Sequence, residues 1–537
     1  MTFHTDFPSR RTVLAAALAS TLAVALPAHA QSAAAAPVAG GTLTYAVFQE
    51  PASLVSLLDT KTDTRNISAK ITEGLLRYDA KFNPQPLLAT SWQVSADGLR
   101  YTFKLREGVK FHDGKPFTSA DVRYSVLTQQ KQGPRGKITL ANVERVDTPD
   151  ALTAVIVLKK PAPYLIKSFS SAELPIVPAH VYGDGDALAS PNTTRPIGTG
   201  PFVFEQWVRG SHVVLRKNPD YWRAGHPYLD RVIYRFIADA QSLAAAVETG
   251  EVDAGLNVGL ADLDRLAKNP ALRIDDTYDA FLNNASFLEY NVENPILAKP
   301  EVRHAIARAI DRRFITEKVL YGRAQVINSP VPSVLSAYYD DSTFNYPYSV
   351  DEANRLLDQA GYPRGAGGTR FDLRLTLIPG ADWRRISDYV RAALSRVGIR
   401  VTVLDGDLGT FPKRVYTARE FDLNLNGLGR LFDPTVGVQR LYWGEGAKTP
   451  LVWINAPHYL NPRIDELFSQ AAVETDEARR ATQFKEIQRT VGRDLPVLPI
   501  ATVPSALQVY NRRVHQLNNS IDLTAGDFAD TWVEAKK

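Results

Sequence analysis

The chain has 537 residues, 45% of them apolar and 22% charged, with 62 Lys+Arg against 58 Asp+Glu for a net charge of +4. One hydrophobic core stops growing near ~250–300 residues, so two or three domains are expected, and the composition excludes disordered, collagenous and polytopic membrane chains. No dense basic run offers a footprint for nucleic acid, and with no cysteine there is no disulfide, thiolate nucleophile, iron–sulfur cluster or Cys-based zinc site.

The chain opens with Arg10 and Arg11 followed by fourteen uncharged, mostly apolar residues, Val13 to Leu26. That run is shorter than the ~20 residues a spanning helix needs. Ala28-His29-Ala30 supplies a small-x-small cleavage pattern, so residues 1–30 read as a secretory signal peptide. Ser9-Arg10-Arg11-Thr12-Val13-Leu14 is also similar to a twin-arginine signal, and Sec and twin-arginine export both stay open. Loss of Asp6, Arg10 and Arg11 with this segment lowers the net charge from +4 to +3. A lipoprotein anchor needs a cysteine, so the expected product is free in a bacterial periplasm.

Residues 31–40 (QSAAAAPVAG) read as a flexible leader. Leu43, Tyr45 and Val47 then alternate at the period of a strand, as do Leu99, Tyr101, Phe103 and Leu105 between Gly98 and Gly108. Thr118 and Asp121 predict a helix start before VRYSVLTQQ, and Ala151–Leu158 is a continuous apolar strand candidate. Pro300 opens a stretch whose Val302, Ala305, Ile306, Ala309 and Ile310 form one helical face, with Gly322 as the stop. Ser349 and Glu352 make a capping-box pattern for a helix ending at Gly361. A further helix, about Trp383–Val397, stops at Gly398 and runs into the strand-like IRVTVL. The mixture predicts an α/β protein.

Catalytic motifs are absent. Neither G-x-S-x-G nor S-x-x-K occurs, and there is no H-E-x-x-H. Gly198-Thr199-Gly200 lacks the Lys-Ser/Thr of a phosphate loop and reads as a tight turn before a strand. His112-Asp113 reads as a turn aspartate beside a solvated histidine, and the pairs Asp275-Asp276 and Asp340-Asp341 read as loops.

Six blocks carry a resemblance: GGTLTYAVFQEPASL; ITEGLLRYDAKFNPQPLLATSWQVSADGLRYTFKLREGVKFHDGKPFTSADV; RPIGTGPFVFEQW; KNPDYWRAGHPYLDRVIYRFI; PEVRHAIARAIDRRFITEKVLYG; and DEANRLLDQAGY. In this order, from about Gly41 to Leu507, the chain resembles the peptide/nickel/opine solute-binding proteins of bacterial ABC importers, family 5. The resemblance implies an α/β, type II periplasmic-binding-protein fold of two hinged lobes with an extra subdomain on lobe I. Carried onto this chain, it gives lobe I as 41–75, 192–282 and 500–537, the extra subdomain as 76–191 and lobe II as 283–499. It also implies a monomer without cofactor or catalysis, closing on a small solute and delivering it to a membrane permease and its ATPase, with no role for nucleic acid. A sensory receptor that presents ligand, or a hydrolase on the same fold, is the alternative from another class.

In peptide-carrying members an aspartate three residues before an Asp/Glu-Pro pair binds the peptide amine. Here the matching stretch is NLNGLGRLFDP, Asn424 to Pro434, so that position falls on Arg430 beside Asp433-Pro434. The arginine that dipeptide members carry for the peptide carboxylate is also missing from Ile378–Trp383. A guanidinium repels an ammonium and holds a carboxylate or phosphate bidentately, so the expected solute is anionic and needs no free amine: a peptide-like, opine-like or other organic acid. Alternatively, Arg430 pairs with an acid such as Glu50 or Asp433. The candidate ligand set is Phe48, Gln49 and Glu50 from the first lobe with Trp383, Arg430, Phe432, Asp433, Tyr442 and Trp443 from the second, and no metal ligands.

Overall fold

The computed structural model describes residues 36–183, 185–275, 284–448, 451–503, 507–517, 520 and 526–535. The signal-peptide reading of 1–30 and half of the 31–40 leader lie outside the described residues. Three sheets organise the body from Val38 onward. The first has seven strands, in the order Leu272–Asp275, Gln508–Asn511, Ala254–Leu256, Thr42–Val47, Arg231–Phe236, His212–Lys217 and Phe202–Val208. Thr42–Val47 runs parallel to both of its neighbours, and Leu43, Tyr45 and Val47 all face one core, as their alternation predicts. Tyr45 lies opposite Tyr234 in register, with ring centroids 5.6 Å apart.

The second sheet has five strands, in the order Ile399–Leu404, Phe371–Leu377, Leu423–Gly429, Asn284–Tyr290 and Val497–Thr502. Phe371–Leu377 is parallel to both neighbours, whereas Asn284–Tyr290 is antiparallel to both of its own. The third sheet, of four antiparallel strands, is built from Ala89–Val94, Arg100–Leu105, Thr153–Leu158 and Val143–Asp150. Helix Ser119–Gln132 packs on it, opened as expected by Thr118, whose N–H donates to the Asp121 carboxylate at 2.9 Å. The predicted strand at Ala151 begins two residues later, because Asp150 accepts from the Leu152 N–H at 2.8 Å and turns the chain first.

Helices Val350–Gln359 and Ala381–Ser395 match their predicted positions, with Ser349 Oγ accepting from the Glu352 N–H at 3.2 Å. The helix expected from Pro300 to Gly322 does not run through. It ends at Ala309, Ile310 is extended (φ −101°, ψ 112°), and a short turn Arg312–Phe314 leads into a π-turn, Ile315–Val319. Asp311 causes the break: its side chain accepts from the N–H groups of Arg313 at 3.0 Å and Phe314 at 3.2 Å, competing with helix continuation. The restart sends Arg312 inward, where it donates to the carbonyls of Ile327, Pro499 and Phe344 and to Asn328 Oδ1 at 2.9–3.1 Å.

Two turn readings are corrected. Asp275 is the buried last residue of a strand rather than a loop residue, because it pairs with Gln508; Asp276 lies outside the described residues. His112 is not solvated: its Nε2 bonds to the Gly200 carbonyl at 3.0 Å, its Nδ1 accepts from the Gly198 N–H at 3.3 Å, and burial pushes its pKa down to about 4. Gly198-Thr199-Gly200 is the expected turn before a strand. A Cβ on Gly198 would lie 2.0 Å from the Ile71 carbonyl oxygen, so the close approach to helix Thr62–Ile71 requires glycine. Thr199 donates at 2.8 Å to buried Glu73, which also accepts from Tyr221 at 2.9 Å and Trp222 at 3.1 Å.

Replacing Asp311 by Ala removes the cap on the restarted turn and should lower stability by about 1 kcal/mol, read as a shift in the urea midpoint. Burial pushes the Glu73 carboxyl up from 4.5 to about 7. The folded form then holds this proton more tightly than the unfolded chain, so its contribution is complete below pH 4.5 and is lost as pH rises through about 7. Urea melts at several pH values should show Glu73→Gln with a shallower loss of stability across that window than the unmodified protein.

Candidate ligand cleft

Ligands of open α/β sheets gather at the carboxyl ends of the strands. Phe48, Gln49 and Glu50 directly follow the end of Thr42–Val47, while Arg430, Phe432 and Asp433 follow the end of Leu423–Gly429. Trp383 lies in the first turn of the helix after Phe371–Leu377. Its indole covers Gly427, where a Cβ would come within 2.5 Å of the ring, so the missing side chain makes room for the tryptophan.

The turn carrying Arg430 is tightly determined. Leu431 takes a left-handed φ of 58°, and Asp433 caps the short helix Pro434–Gly437 by accepting from the Thr435 N–H at 2.9 Å. Gly437 passes so close beneath that a Cβ would sit 1.7 Å from the Arg430 carbonyl oxygen. The Asp433 carboxylate is bound bidentately by Arg480 at 2.7 and 2.8 Å, both groups being buried. Burial alone would raise the Asp433 pKa, but the Arg480 guanidinium holds it below the ordinary carboxylate range. Arg480 also donates to Tyr338 Oη and Thr435 Oγ1, each at 2.9 Å, and to the Ala471 carbonyl at 2.7 Å.

Both acids weighed as partners of Arg430 are thus engaged by other groups. Glu50 accepts from Trp207 Nε1 at 2.9 Å and the Gly210 N–H at 3.0 Å, with Arg209 at 3.6 Å. Arg430 is 3% exposed and directs Nη1 at the Ser329 carbonyl, 3.4 Å away. Phe432 is fully buried in the main core, as is Tyr442, whose hydroxyl meets no hydrogen-bond partner. Trp443 is partly exposed, with its carbonyl accepting from Asn455 Nδ2 at 3.0 Å. On the first sheet Phe48 is half-buried and Gln49 and Glu50 are exposed. The 430–443 run therefore gathers five of the candidates, Trp383 joins them over the same strand, and Phe48–Glu50 belong to the other sheet.

Sequence reasoning passed over a second polar group beside this run. Glu289 on Asn284–Tyr290 stands in register with Asn424, and it accepts from Asn424 Nδ2 at 2.5 Å and Asn426 Nδ2 at 3.4 Å. Arg440 donates to the Gly429 carbonyl at 2.5 Å and the Gly437 carbonyl at 3.1 Å. Burial pushes Glu289 up to about 7 and Arg440 down to about 10. The signal was present: a glutamate interrupts the apolar NASFLEY, and Leu-Asn-Leu-Asn alternates at period 2. Among the described residues no group of three His, Cys, Asp or Glu stands ready to hold a metal, and no helix is long and apolar enough to cross a membrane.

The family described as bacterial extracellular solute-binding proteins, family 5 Middle, matches residues 83–449. The chain belongs to this family. Among its relatives, Di/tripeptide-binding protein 2 of Pseudomonas aeruginosa is 30% identical over 451 residues, covering 78% of this chain and 80% of that one. The glutathione-binding protein GsiB of Pectobacterium atrosepticum is 27% identical over 460 residues, covering 82% and 84%. Among solved structures, the binding protein AgaA of A. tumefaciens R10 in complex with agropinic acid superposes with a TM-score of 0.76 at 27% identity, covering 93% of this chain and 99% of that one. The fold is accordingly the type II periplasmic-binding-protein fold, and the chain is a solute-binding protein of an ABC importer that works with a permease and an ATPase. It belongs to a family of extracellular solute binders, not enzymes.

Removing one partner of a buried ion pair strands the other charge. Asp433→Asn should therefore cost about 3–5 kcal/mol, measured by urea denaturation, with Arg480 left unmatched beneath the Arg430 turn.

Proposed function

We propose that this protein captures an anionic organic solute lacking an essential free amine, and that Arg430 holds the anionic group. One observation carries the reading: a buried guanidinium stands at the carboxyl end of a central strand, three residues before Asp433-Pro434, where peptide-carrying members place the aspartate that binds the amine. A planar guanidinium in a desolvated turn suits a bidentate carboxylate or phosphate and opposes an ammonium. A 27% identical chain that binds agropinic acid supports an acid as cargo.

The working arrangement is two lobes, 41–75 with 192–282 and 500–537 against 283–499, and a subdomain at 76–191 on the first. In this reading Phe48, Gln49 and Glu50 face Trp383, Arg430 and Trp443 across the cleft, while the buried Phe432, Asp433 and Tyr442 support the second wall from behind. Solute contacts made from both lobes exist only when the cleft is shut, so binding shifts the population toward closure. The closed monomer then docks on the permease. Export through the signal peptide at 1–30 leaves the mature chain free in the periplasm, with no lipid anchor and no nucleic-acid partner.

A ligand that binds only the native state stabilises it by about 2.7 kcal/mol at a hundredfold excess over its dissociation constant. In a thermal-shift screen of residues 31–537, amine-free acids should raise the melting temperature, and Arg430→Ala should abolish that rise. Stabilisation by ordinary dipeptides, unchanged in Arg430→Ala, would overturn the reading.

A further inference from the structure

We propose that the second lobe carries a hydroxyl-recognising polar cluster on the strand that leads to Arg430, formed by Glu289, Asn424, Asn426, Tyr416, Arg440 and Tyr442, which takes the hydroxylated part of the anionic solute. The inference rests on the anion reading above and specifies the other end of the same ligand. Register places the group: Glu289 faces Asn424 and Phe287 faces Asn426 across two paired strands, and the second of these strands ends at Gly429, one residue before Arg430. Arg440 donates to that same Gly429 carbonyl, so the polar group and the anion position share one backbone segment. Tyr416 Oη accepts from Asn426 Nδ2 at 3.0 Å, and the charge of Glu289 acts on the phenols of both Tyr416 and Tyr442.

Capacity is left over. Asn424 Oδ1 and Tyr442 Oη are buried and meet no hydrogen-bond partner, although both residues are 0% exposed. Buried polar atoms in folded proteins are nearly always satisfied, so two idle ones beside a carboxylate mark a place where a bound group completes the bonding. The idle capacity and the Glu289 carboxylate are rich in acceptors, which calls for a donor. Burial disfavours the charged form of Glu289, pushing its carboxyl up to about 7, so a neutral donor fits better than a second cation. Hydroxyls meet that description, and a phenol that both gives and takes a hydrogen bond matches them.

The test is isothermal titration of the mature chain with gluconate and galactarate against hexanoate and adipate, acids of the same chain lengths and charges without hydroxyls. The hydroxylated acids should bind at least about tenfold more tightly. Tyr442→Phe should cut that preference by about tenfold while raising the melting temperature of the ligand-free protein, because it removes a buried hydroxyl that has no partner. Glu289→Gln, an isosteric change, should also reduce the preference. Equal affinity for the two series, or a preference untouched by both variants, overturns this inference alone, provided Arg430→Ala still abolishes binding of the simple acids. Binding of neither series overturns it together with the anion reading.

Discussion

The seven-stranded sheet cannot be completed until the chain has built the five-stranded one. The polypeptide leaves the seven-stranded sheet after Asp275, enters the five-stranded sheet at Asn284, and returns only after Thr502. The returning strand, Gln508–Asn511, does not settle at an edge: it inserts between Ala254–Leu256 and Leu272–Asp275, antiparallel to both. Val497–Thr502 in turn covers the outer side of Asn284–Tyr290. The outgoing and returning strands are thus neighbours in the second sheet. This constraint leaves two connections between the sheets and brings the carboxyl ends of the strands that bear the candidate residues into play.

On that frame the local chemistry of the second sheet is arranged around the buried end of one strand. Arg480 neutralises Asp433, Gly437 lets the next turn pass under the Arg430 carbonyl, and Trp383 seals the strand where Gly427 leaves a gap. Each device fixes backbone geometry, and together they hold a guanidinium in a dry setting where its attraction for an anion is least screened. A buried pair such as Asp433–Arg480 is weak evidence for stability, because desolvation offsets much of the attraction; its effect here is to fix one conformation of the turn.

Much of this could be read from the residues. Alternation at Leu43, Tyr45 and Val47 and the Ser349–Glu352 cap translate directly into elements because strand pleat and helix capping are local physics. The family blocks were equally legible, and they carried the fold that no periodicity could supply. What escaped was tertiary. Asp311 reads as one more polar residue on a helix, and its capping of the Arg313 and Phe314 N–H groups, which ends the helix before it, shows only in the folded chain. His112 looked like a turn residue because its partners, Gly198 and Gly200, lie far along the sequence. In the candidate site, Arg430 was identifiable from its spacing to Asp433-Pro434, but Arg480, which engages Asp433, comes from a helix 47 residues on and has no local signal. Glu289 was overlooked for the same reason: its neighbours are set by strand register.

The most direct measurement is to purify the protein from bacterial cells producing the full chain, denature it, and identify the released solute by mass spectrometry. The account predicts a carboxylic or phosphoric acid without a free primary amine, retained by the unmodified protein and absent from Arg430→Ala. A linear peptide with a free amino terminus, retained equally by both proteins, would contradict it.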